Sequence, residues 1–434
     1  APFHAMSLRC EAFAFGSTEG TCRVEQDQVY PKPFFWNVGT TSASKSRPAR
    51  CAAGYRHSLF VLESGRIVSC GEQEPPCTSA KQSASVGIRE FALDDDAAEV
   101  AVGDGLRFVV SNRGMLFSWG RGRYGALGHD DERTVLSPQP VAGLTNERIT
   151  RIACGRWHCV ALTDSNKLFA WGRNHVGQLG LGYANHSVGS PAIVELEPGA
   201  AIQPSVRDIG AGEAHTVAIA DVRRRHDKRA TEETVETVHA FAWGENSECR
   251  LGNIADTKLH HTPQVVRSLD RLLRRIKTTL ARAPAFRANS IVSCGKAHTL
   301  VLTKFGQVIA WGSGTYGQLG YGDAWSTSDC VLVRGLESVI AITAGDRHSM
   351  ALQGLMQRNS ASESETSNTS LRDGAVYVWG FNSFGELGLG DHDIRLQPTH
   401  LRALEGTRVS QISAGSRHSL VLLAGQPART YKED

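Results

Sequence analysis

A chain of 434 residues with a formal net charge of +3 has the composition of an ordinary globular protein, apart from its 44 glycines. So small a net charge gives no general attraction to nucleic acid or to a membrane, and any such binding needs a local cluster of cations. No apolar run is long enough to span a bilayer, and no signal peptide is recognisable. We expect the five residues before Met6 to be a cloning remnant, so that residues 1–7 comprise this remnant and the start of the protein.

The 10 cysteines form no Cys-x-x-Cys pair, and several of them lie in strand-like segments. These are Cys70, Cys154, Cys159 and Cys294. Buried, reduced thiols are the expected state of such cysteines, in preference to metal ligands or disulfides. This pattern favours a cytoplasmic and/or nuclear location.

One motif recurs along most of the chain, with a period of about 50 residues, as in known repeat folds. Each copy has a Gly-x-x-His bend before one short strand and an aromatic-Gly pair that ends the next strand. The seven bend glycines are Gly54, Gly103, Gly155, Gly212, Gly295, Gly345 and Gly415. The seven strand-ending pairs are Phe15-Gly16, Cys70-Gly71, Trp119-Gly120, Trp171-Gly172, Trp243-Gly244, Trp311-Gly312 and Trp379-Gly380.

The bends and the pairs are out of step by one. The pair Phe15-Gly16 has no bend before it, and the bend at Gly415 has no pair after it. We therefore predict that a strand at 12–15 pairs beside a strand at 419–423, so that the two ends of the chain complete one sheet. Such closure of a ring hides two sheet edges that would otherwise invite aggregation.

Each copy has room for four strands, which in the third copy are predicted at 159–163, 168–171, 193–196 and 207–210. Four-stranded units in a ring form a propeller, and the period fits blade repeats of that kind. The short, β-branched segments between glycines disfavour a helical solenoid. The predicted fold is an all-β, seven-bladed propeller over residues 8–424, followed by a tail at 425–434.

Three insertions interrupt the repeat. Residues 221–238 enter a hairpin and carry a basic loop, whose cations are Arg223, Arg224, Arg225, Lys228 and Arg229. Residues 354–373 are rich in Ser and Thr, which predicts a disordered loop. Residues 268–288 begin with a predicted amphipathic helix from Ser268 to Ala283, capped by Ser268 and ended by Pro284. Its arginine-rich face is either solvated or grips a partner or an acidic surface.

No constellation of residues indicates catalysis. The bend histidines are His57, His158, His215, His298, His348 and His418, and a ring would spread them over its blades. We interpret each as a hydrogen-bonding strut within its own blade. The glycine-rich bends lack the strand-to-helix context of a phosphate site. We predict no enzyme, no metal, no cofactor and no small-molecule substrate.

All seven bends lie at equivalent ends of their strands and therefore open onto one face, which we call the bend rim. Arginine and aromatic residues dominate the hot spots of protein interfaces, so this face is predicted to bind a partner protein. Ordinary solvated loops are the alternative. The predicted partner-binding residues are Tyr55, Arg56, Asp104, Arg156, Trp157, Glu213, Lys296, Asp346, Arg347 and Arg417.

Several stretches resemble the regulator of chromosome condensation repeat, or RCC1-like repeat. They are Ala-Gly-Asp-Arg-His-Ser at 344–349, Trp-Gly-Ser-Gly-Thr-Tyr-Gly-Gln-Leu-Gly at 311–320 and Trp-Gly-Phe-Asn-Ser-Phe-Gly-Glu-Leu-Gly at 379–388. The resemblance implies a seven-bladed propeller, and the best-known member exchanges nucleotide on the Ran GTPase. Its acting positions match His57, Asp104, His298 and His418 here.

Two departures from this member weaken the case for Ran exchange. Trp157 stands where the resemblance implies an acidic residue, and residues 177–191 lack its longer β-wedge insertion. A plant UV-B photoreceptor of the family senses light through clustered tryptophans, whereas Trp157 is the one bend tryptophan here. Other members are adaptors for partner proteins.

We predict a non-enzymatic protein-interaction propeller, an adaptor or scaffold, that binds a partner protein through the bend rim, with the insertions at 221–238 and 354–373 as accessory contacts. The alternative is a guanine-nucleotide exchange factor for a Ran-like small GTPase. A second alternative is the binding of chromatin, a nucleosome or nucleic acid through the basic loop and the bend rim, which would weaken steeply with salt.

Overall fold

The computed structural model describes residues 12–16, 28–33, 47–71, 88–93, 95–225, 234–252, 258–276, 291–354 and 374–424. These residues form seven antiparallel sheets of four strands each, which are the blades of a ring. The strands are β1 (Ala12–Gly16), β2 (Gln28–Pro33), β3 (Pro48–Ala53), β4 (His57–Leu62), β5 (Ile67–Gly71), β6 (Arg89–Phe91), β7 (Ala97–Val102), β8 (Leu106–Ser111), β9 (Leu116–Gly120), β10 (Val135–Pro140), β11 (Ile149–Cys154), β12 (His158–Thr163), β13 (Leu168–Arg173), β14 (Ser187–Val194), β15 (Ser205–Ala211), β16 (His215–Arg225), β17 (Thr234–Glu245), β18 (Leu259–Val265), β19 (Val292–Cys294), β20 (His298–Leu302), β21 (Val308–Gly312), β22 (Thr327–Leu332), β23 (Val339–Ala344), β24 (His348–Gln353), β25 (Ala375–Gly380), β26 (Arg395–His400), β27 (Val409–Ala414) and β28 (His418–Leu423). The helix α1 (Arg267–Arg275) and four 3-10 turns complete the elements, the turns at Arg123–Gly125, Ala142–Leu144, Ser247–Cys249 and Arg402–Leu404.

Blades 1 to 6 use their strands in chain order from the central channel outward, from β3–β6 in blade 1 to β23–β26 in blade 6. The predicted seven-bladed propeller is confirmed. The sheets are offset from the predicted unit by one strand, because the predicted segment at 207–210 lies in β15, the innermost strand of the next blade. The predicted segment at 193–196 is the end of a longer strand, β14, which begins at Ser187.

Blade 7 closes the ring in the predicted way. Its strand order is β27-β28-β1-β2, so the first strand of the chain lies beside the last. Phe13 is opposite Val421, and Phe15 is opposite Ser419. Phe15 is fully buried, which adds apolar contacts to the backbone pairing of the two chain ends.

The bend glycines form a closed ring around one mouth of the channel. A Cβ atom on Gly295 would lie 2.2 Å from the carbonyl oxygen of Gly345 in the next blade, and one on Gly155 would lie 2.2 Å from that of Gly212. The same approach recurs at every bend, and the contact between Gly415 and Gly54 closes the circle. Glycine is therefore needed here because neighbouring backbones touch.

The bend histidines join neighbouring blades. Nε2 of His298 lies 3.0 Å from Oγ of Ser349, and Nε2 of His418 lies 2.9 Å from Oγ of Ser58. Equivalent contacts are His158 to Thr216, His215 to Thr299, and His348 to Ser419. The interpretation of these side chains as struts within their own blades is wrong, since each reaches the second strand of the next blade.

The hydrogen bonds around His298 assign its tautomer. Ser349 Oγ donates to the carbonyl oxygen of Gln318 at 2.8 Å, so this hydroxyl accepts from Nε2 of His298. Nδ1 of His298 is buried and has no hydrogen-bond partner. Burial lowers the pKa of His298 to about 3, because a charged ring would be desolvated there. The same burial lowers the pKa of His158 and of His348 to about 3, and that of His418 to about 4.

Blade 2 departs from this scheme on both of its sides. Leu106 occupies the histidine position, and Cys159 of blade 3 occupies the hydroxyl position that such a histidine would reach. Arg107 occupies the hydroxyl position of blade 2 itself, and Nε2 of His57 lies 3.3 Å from the carbonyl oxygen of Leu106 instead. The bend of blade 2 is thus Gly-x-x-Leu rather than the predicted Gly-x-x-His.

A second contact between blades involves the tryptophan that ends the third strand. Trp379 is fully buried, and its Nε1 donates to the carbonyl oxygen of Gln318 in the preceding blade at 2.8 Å. A Cβ atom on Gly320 would lie 2.7 Å from the same indole nitrogen. The Gly-x-Leu-Gly turn of one blade therefore packs on the tryptophan of the next, which gives both halves of the sequence motif a structural reason.

Two hairpins carry insertions at their ends that point away from the bend rim. β16 and β17 pair from His215 and Gly244 at the rim to Arg225 and Thr234 at the far end. Arg223, Arg224 and Arg225 belong to β16, whereas Lys228 and Arg229 lie outside the described residues. The insertion at 354–373 also leaves the far end of its hairpin, and residues 355–373 lie outside the described residues, so the disordered loop stays a prediction.

The predicted helix is confirmed with different ends. In α1, Leu269, Leu272 and Leu273 are buried, whereas Arg271, Arg274 and Arg275 are exposed. Ser268 does not cap the helix, because its side chain is buried and its Oγ lies 3.1 Å from Sγ of Cys330. The helix ends at Arg275, and Pro284 lies outside the described residues.

The cysteines are in two states. Cys51, Cys154, Cys159, Cys249, Cys294 and Cys330 are free thiols. Cys70 is disulfide-bonded, so the expectation of a reduced thiol is wrong at that position.

Candidate functional site

The channel opens at the bend rim into a cavity of about 100 Å³. Arg156 connects two carboxylates at this mouth: its Nε lies 3.2 Å from Oδ2 of Asp104, and its Nη1 lies 2.5 Å from Oε1 of Glu213. Lys296 extends the network, with Nζ 3.6 Å from Oε2 of Glu213. Charges of opposite sign thus alternate across blades 2 to 5, and the network neutralises most of its own charge.

Asp346 lies on the other side of the mouth. Its Oδ2 accepts a hydrogen bond from Oγ of Ser416 at 2.6 Å. Burial raises the pKa of Asp346 above its ordinary range, although the hydrogen bond from Ser416 acts in the opposite direction.

Beside the mouth, cations stack on aromatic rings in a group that we call the Trp157 cluster. It consists of Arg123, Tyr124, Arg156, Trp157 and Arg173. The guanidinium carbons of Arg156 and Arg173 lie 4.2 and 4.6 Å from the ring centre of Trp157. That of Arg123 lies 4.8 Å from the ring centre of Tyr124, whose ring centre is 5.7 Å from that of Trp157. These distances are within the range of cation–π attraction.

A similar group, the Phe381 cluster, lies across blades 5 to 7. It consists of Tyr316, Arg347, Phe381, Phe384 and Arg417. The guanidinium carbon of Arg347 is 4.8 Å from the ring centre of Tyr316, and that of Arg417 is 4.6 Å from the ring centre of Phe384. Tyr316 and Phe381 meet edge to face with ring centres 5.0 Å apart. Blade 4 separates the two clusters on one side of the ring, and blade 1 separates them on the other.

Four arginines of these clusters differ from Arg156, which forms ion pairs with carboxylates. Arg123, Arg173, Arg347 and Arg417 lie over aromatic rings, but none of them forms an ion pair with a carboxylate of the described residues. A ring face only partly compensates a guanidinium charge. These four side chains therefore present positive charge on the bend rim that is only partly compensated.

The predicted site residues fall into three groups. The ten predicted partner-binding residues all lie on the bend rim, and none of them is fully buried. Of the four positions matched to the Ran exchange factor, Asp104 alone is partly exposed, since His57, His298 and His418 are at most 2% exposed and bond to the next blade. Arg223–Arg225 of the basic loop lie at the opposite face.

Three of the five residues in each cluster were not predicted from the sequence. They come from the segments after the Trp-Gly pairs rather than from the Gly-x-x-His bends, and they are Arg123, Tyr124, Arg173, Tyr316, Phe381 and Phe384. A signal was available, because an aromatic residue precedes the turn glycine in Arg-Tyr-Gly at 123–125, Thr-Tyr-Gly at 315–317 and Ser-Phe-Gly at 383–385.

The far end of the channel contains three charged side chains, of which Asp208 is buried and Arg151 and Glu99 are partly buried. Arg151 lies between two carboxylates, with Nη1 3.8 Å from Oε2 of Glu99 and Nε 3.8 Å from Oδ1 of Asp208. Asp208 also accepts hydrogen bonds from the backbone N–H groups of Ile291 and Val292. Burial raises the pKa of Glu99 to about 7, although Arg151 partly opposes this rise.

Within the residues that the structure describes, no group of three or more His, Cys, Asp or Glu side chains is placed to hold a metal ion. No helix in the same part of the chain is both long enough and apolar enough to cross a membrane.

Known proteins share this sequence pattern and architecture. The chain is 29% identical to the ultraviolet-B receptor UVR8 of Arabidopsis thaliana over 380 residues, which cover 86% of the chain and 73% of the receptor. It is 29% identical to the mouse E3 ubiquitin-protein ligase HERC2 over 378 residues, which cover 85% of the chain and 7% of that ligase.

Solved structures agree at the level of the fold. The crystal structure of Prp20p from Saccharomyces cerevisiae, a protein described with its binding to Gsp1p and histones, superposes with a TM-score of 0.68 at 18% identity. The superposition covers 96% of this chain and 92% of Prp20p. The family model of the RCC1-like domain matches residues 11–421. The protein therefore belongs to the RCC1-like domain family.

Proposed function

We propose that this propeller is a non-enzymatic interaction protein, which binds a partner protein carrying acidic residues through its bend rim. One observation carries the proposal: four arginines on that rim are stacked on aromatic rings and lack a counter-ion among the described residues. Arginines held over rings lose little side-chain entropy when they bind, and their planar donors suit carboxylates.

The two clusters suit an interface that spans the channel mouth. Interface energy concentrates in a few aromatic and arginine side chains, surrounded by contacts of small effect. Here the Trp157 and Phe381 clusters supply such side chains on two sides of the ring. The ion-pair network that starts at Arg156 of the Trp157 cluster extends to Asp104, Glu213 and Lys296, and it holds these bends in place within the protein.

The opposite face does not belong to this interface. β16 and β17 run away from the rim, so the insertion at 221–238 is a poor accessory contact for a partner bound over the channel mouth. The accessory role proposed for both insertions therefore applies only to a second partner or to one that wraps around the blades. Chromatin binding through the basic loop would use this opposite face.

The proposal is tested by affinity purification with quantitative mass spectrometry, using wild type, Arg347→Ala and Arg417→Ala. Loss of an interface arginine costs about 2 kcal/mol where it is a hot spot, or roughly a 30-fold loss of affinity. We expect the same partner proteins to be depleted from both variants, and to be released from wild type by added salt.

The matched control is Arg402→Ala. Arg402 is exposed on the 3-10 turn that connects blades 6 and 7 at the opposite face. We expect this variant to retain the partners. Equal recovery of all partners by the two rim variants would exclude the rim as the binding site.

Nucleotide release from small GTPases tests the alternative. Under our proposal, the wild-type protein does not accelerate release of labelled GDP from Ran or a related GTPase. Acceleration that is lost in Asp104→Asn, but kept in Asp164→Asn at the opposite face, would instead establish an exchange factor. Asp164 is a suitable control because it lies in the hairpin between β12 and β13, away from the rim.

A further inference from the structure

Two free cysteines face each other across the first pair of strands in blade 3. Sγ of Cys159 lies 3.4 Å from Sγ of Cys154, and the two residues are directly opposite in the register of β11 and β12. Opposed residues of an antiparallel pair have Cα atoms about 4.5–5.5 Å apart, which is inside the range of about 4.4–6.8 Å that a disulfide needs. Backbone movement is therefore not required for these sulfur atoms to bond.

The two thiols differ in their access to solvent. Cys154 lines the cavity at the channel mouth, next to the bend that carries Arg156 and Trp157. Cys159 is completely buried. Burial raises the pKa of the Cys159 thiol well above its ordinary range, and the neighbouring Cys154 adds to this rise. An oxidant from solvent therefore meets Cys154 first.

Cys159 takes part in no histidine contact between blades. In blades 1, 4, 5, 6 and 7, the residue at its position carries a hydroxyl that contacts the histidine of the preceding blade, as Ser349 contacts His298. Blade 2 has Leu106 in place of that histidine, so Cys159 has no such contact to maintain. Its remaining polar neighbour is the carbonyl oxygen of Ala126, 3.7 Å from Sγ. The thiol is thus free to react with Cys154.

We propose that Cys154 and Cys159 form a reversible disulfide, a redox modification site that brackets the bend at 155–157. With hydrogen peroxide as the oxidant, the sulfur of Cys154 attacks the peroxide, the O–O bond breaks, and a sulfenic acid and one water form. Sγ of Cys159 then attacks the sulfenyl sulfur, and the displaced hydroxide takes the proton of Cys159 and leaves as a second water. Two thiols and one peroxide thus give one disulfide and two waters.

Blade 5 provides an internal control. Cys294 lines the same cavity and occupies the position equivalent to Cys154, but the residue opposite it in the register is Thr299. Its Sγ lies 3.7 Å from Oγ1 of Thr299. Cys294 has similar surroundings, but a threonine rather than a cysteine faces it, and Cys330 of the same blade lies on the outer strand β22. Cys294 therefore separates disulfide formation from general oxidation.

The test is to treat the folded full chain with hydrogen peroxide and then to remove the peroxide. The remaining thiols are blocked with N-ethylmaleimide in urea, so that the reagent reaches the buried Cys159, and the chain is digested with trypsin without reduction. Cleavage after Arg156 separates Cys154 from Cys159, so a disulfide joins the peptides 152–156 and 157–167. We expect this linked pair, lighter by two hydrogen atoms than the sum of the two peptides. We also expect loss of alkylation at both cysteines and its return after treatment with dithiothreitol.

Two variants test the assignment of the disulfide to Cys154 and Cys159. Each replaces one cysteine by a residue that occupies the equivalent position in other blades. Ala53 and Ala211 are the equivalents of Cys154, and Ser58 and Ser349 are the equivalents of Cys159. Cys154→Ala and Cys159→Ser should fold, which circular dichroism checks, and both should lose the linked pair. In Cys159→Ser, Cys154 should advance to the sulfinic acid.

Three results would overturn the proposal. The first is full alkylation of Cys154 and Cys159 at peroxide doses that oxidise Cys294. The second is sulfinic acid at Cys154 in wild type without any linked pair. The third is a linked pair that appears only after the chain is unfolded. None of these results bears on partner binding by the rim, which is tested separately.

Discussion

Acidification from pH 7 to pH 5 is expected to remove roughly 5 kcal/mol from the free energy of unfolding, because several histidines are buried without charge. Burial lowers the pKa of His158, His298 and His348 to about 3 and that of His418 to about 4. In the unfolded chain these groups titrate near pH 6.5. Below pH 6.5 the unfolded state binds more protons than the folded state. The contribution of the neutral histidines to the free energy of unfolding is therefore fully present above this pH and decreases as the pH is lowered. Each histidine costs about 2 kcal/mol at pH 5, and four cost about 8 kcal/mol.

One carboxyl group offsets part of this loss. Burial raises the pKa of Glu99 to about 7, above its unfolded value, so the folded state gains a proton there as the pH falls toward 5. That gain stabilises the folded state by about 2 to 3 kcal/mol at pH 5. The loss from the four histidines is larger than the gain from Glu99, so the protein is destabilised overall. The net loss is comparable to the whole free energy of unfolding of many domains.

Urea unfolding at a series of pH values measures this dependence. Between pH 6 and pH 4.5, His298→Gln should reduce the slope of the unfolding free energy by about one proton, since one histidine no longer titrates. His392→Gln is the control, because His392 is exposed and remains in water when the chain folds. A wild-type stability that does not change from pH 7 to pH 5 would contradict the assignment of neutral, buried histidines.

Local spacing was sufficient to predict the ring but not the contacts between its blades. Glycines and tryptophans at fixed offsets specify bends and strand ends, and the mismatch between Phe15 and Gly415 indicated how the chain ends meet. Whether His298 bonds within its own blade or reaches Ser349 in the next one depends on how blades pack. Five of the seven repeats carry both a histidine and a hydroxyl residue at these positions, so the sequence is compatible with either arrangement.

The two clusters could not be predicted from the sequence because they too depend on how the blades pack. Tyr316 and Phe381 are 65 positions apart in the chain, yet their rings meet because the turn of one blade leans on the next. By contrast, the missing histidine contact between blades 2 and 3 could be recognised from the sequence. Leu106 replaces a histidine, and Cys159 replaces the hydroxyl that would have received it, so the two changes report one missing contact.

Gly295→Ala is expected to destabilise the propeller by about 3 kcal/mol, the upper part of the range for an overpacked site. The new Cβ atom would lie 2.2 Å from the carbonyl oxygen of Gly345 and 2.3 Å from Cε1 of His298. Neither neighbour can withdraw easily, because the first is backbone of the next blade and the second is held by Ser349. The substitution therefore either forces blades 5 and 6 apart or breaks the histidine contact between them.

The measurement is the midpoint of urea denaturation of Gly295→Ala. Gly143→Ala is the matched control. Gly143 lies in the 3-10 turn Ala142–Leu144, where the nearest atom to an added Cβ is Cδ of Pro191 at 3.2 Å. Its backbone is compatible with alanine, so its stability should stay within about 1 kcal/mol of wild type. Equal midpoints for the two variants would mean that the bend glycines are not a close-packed ring. A large loss at Gly295 alone would show that contact between neighbouring bends, rather than the flexibility of glycine, fixes this residue in the repeat.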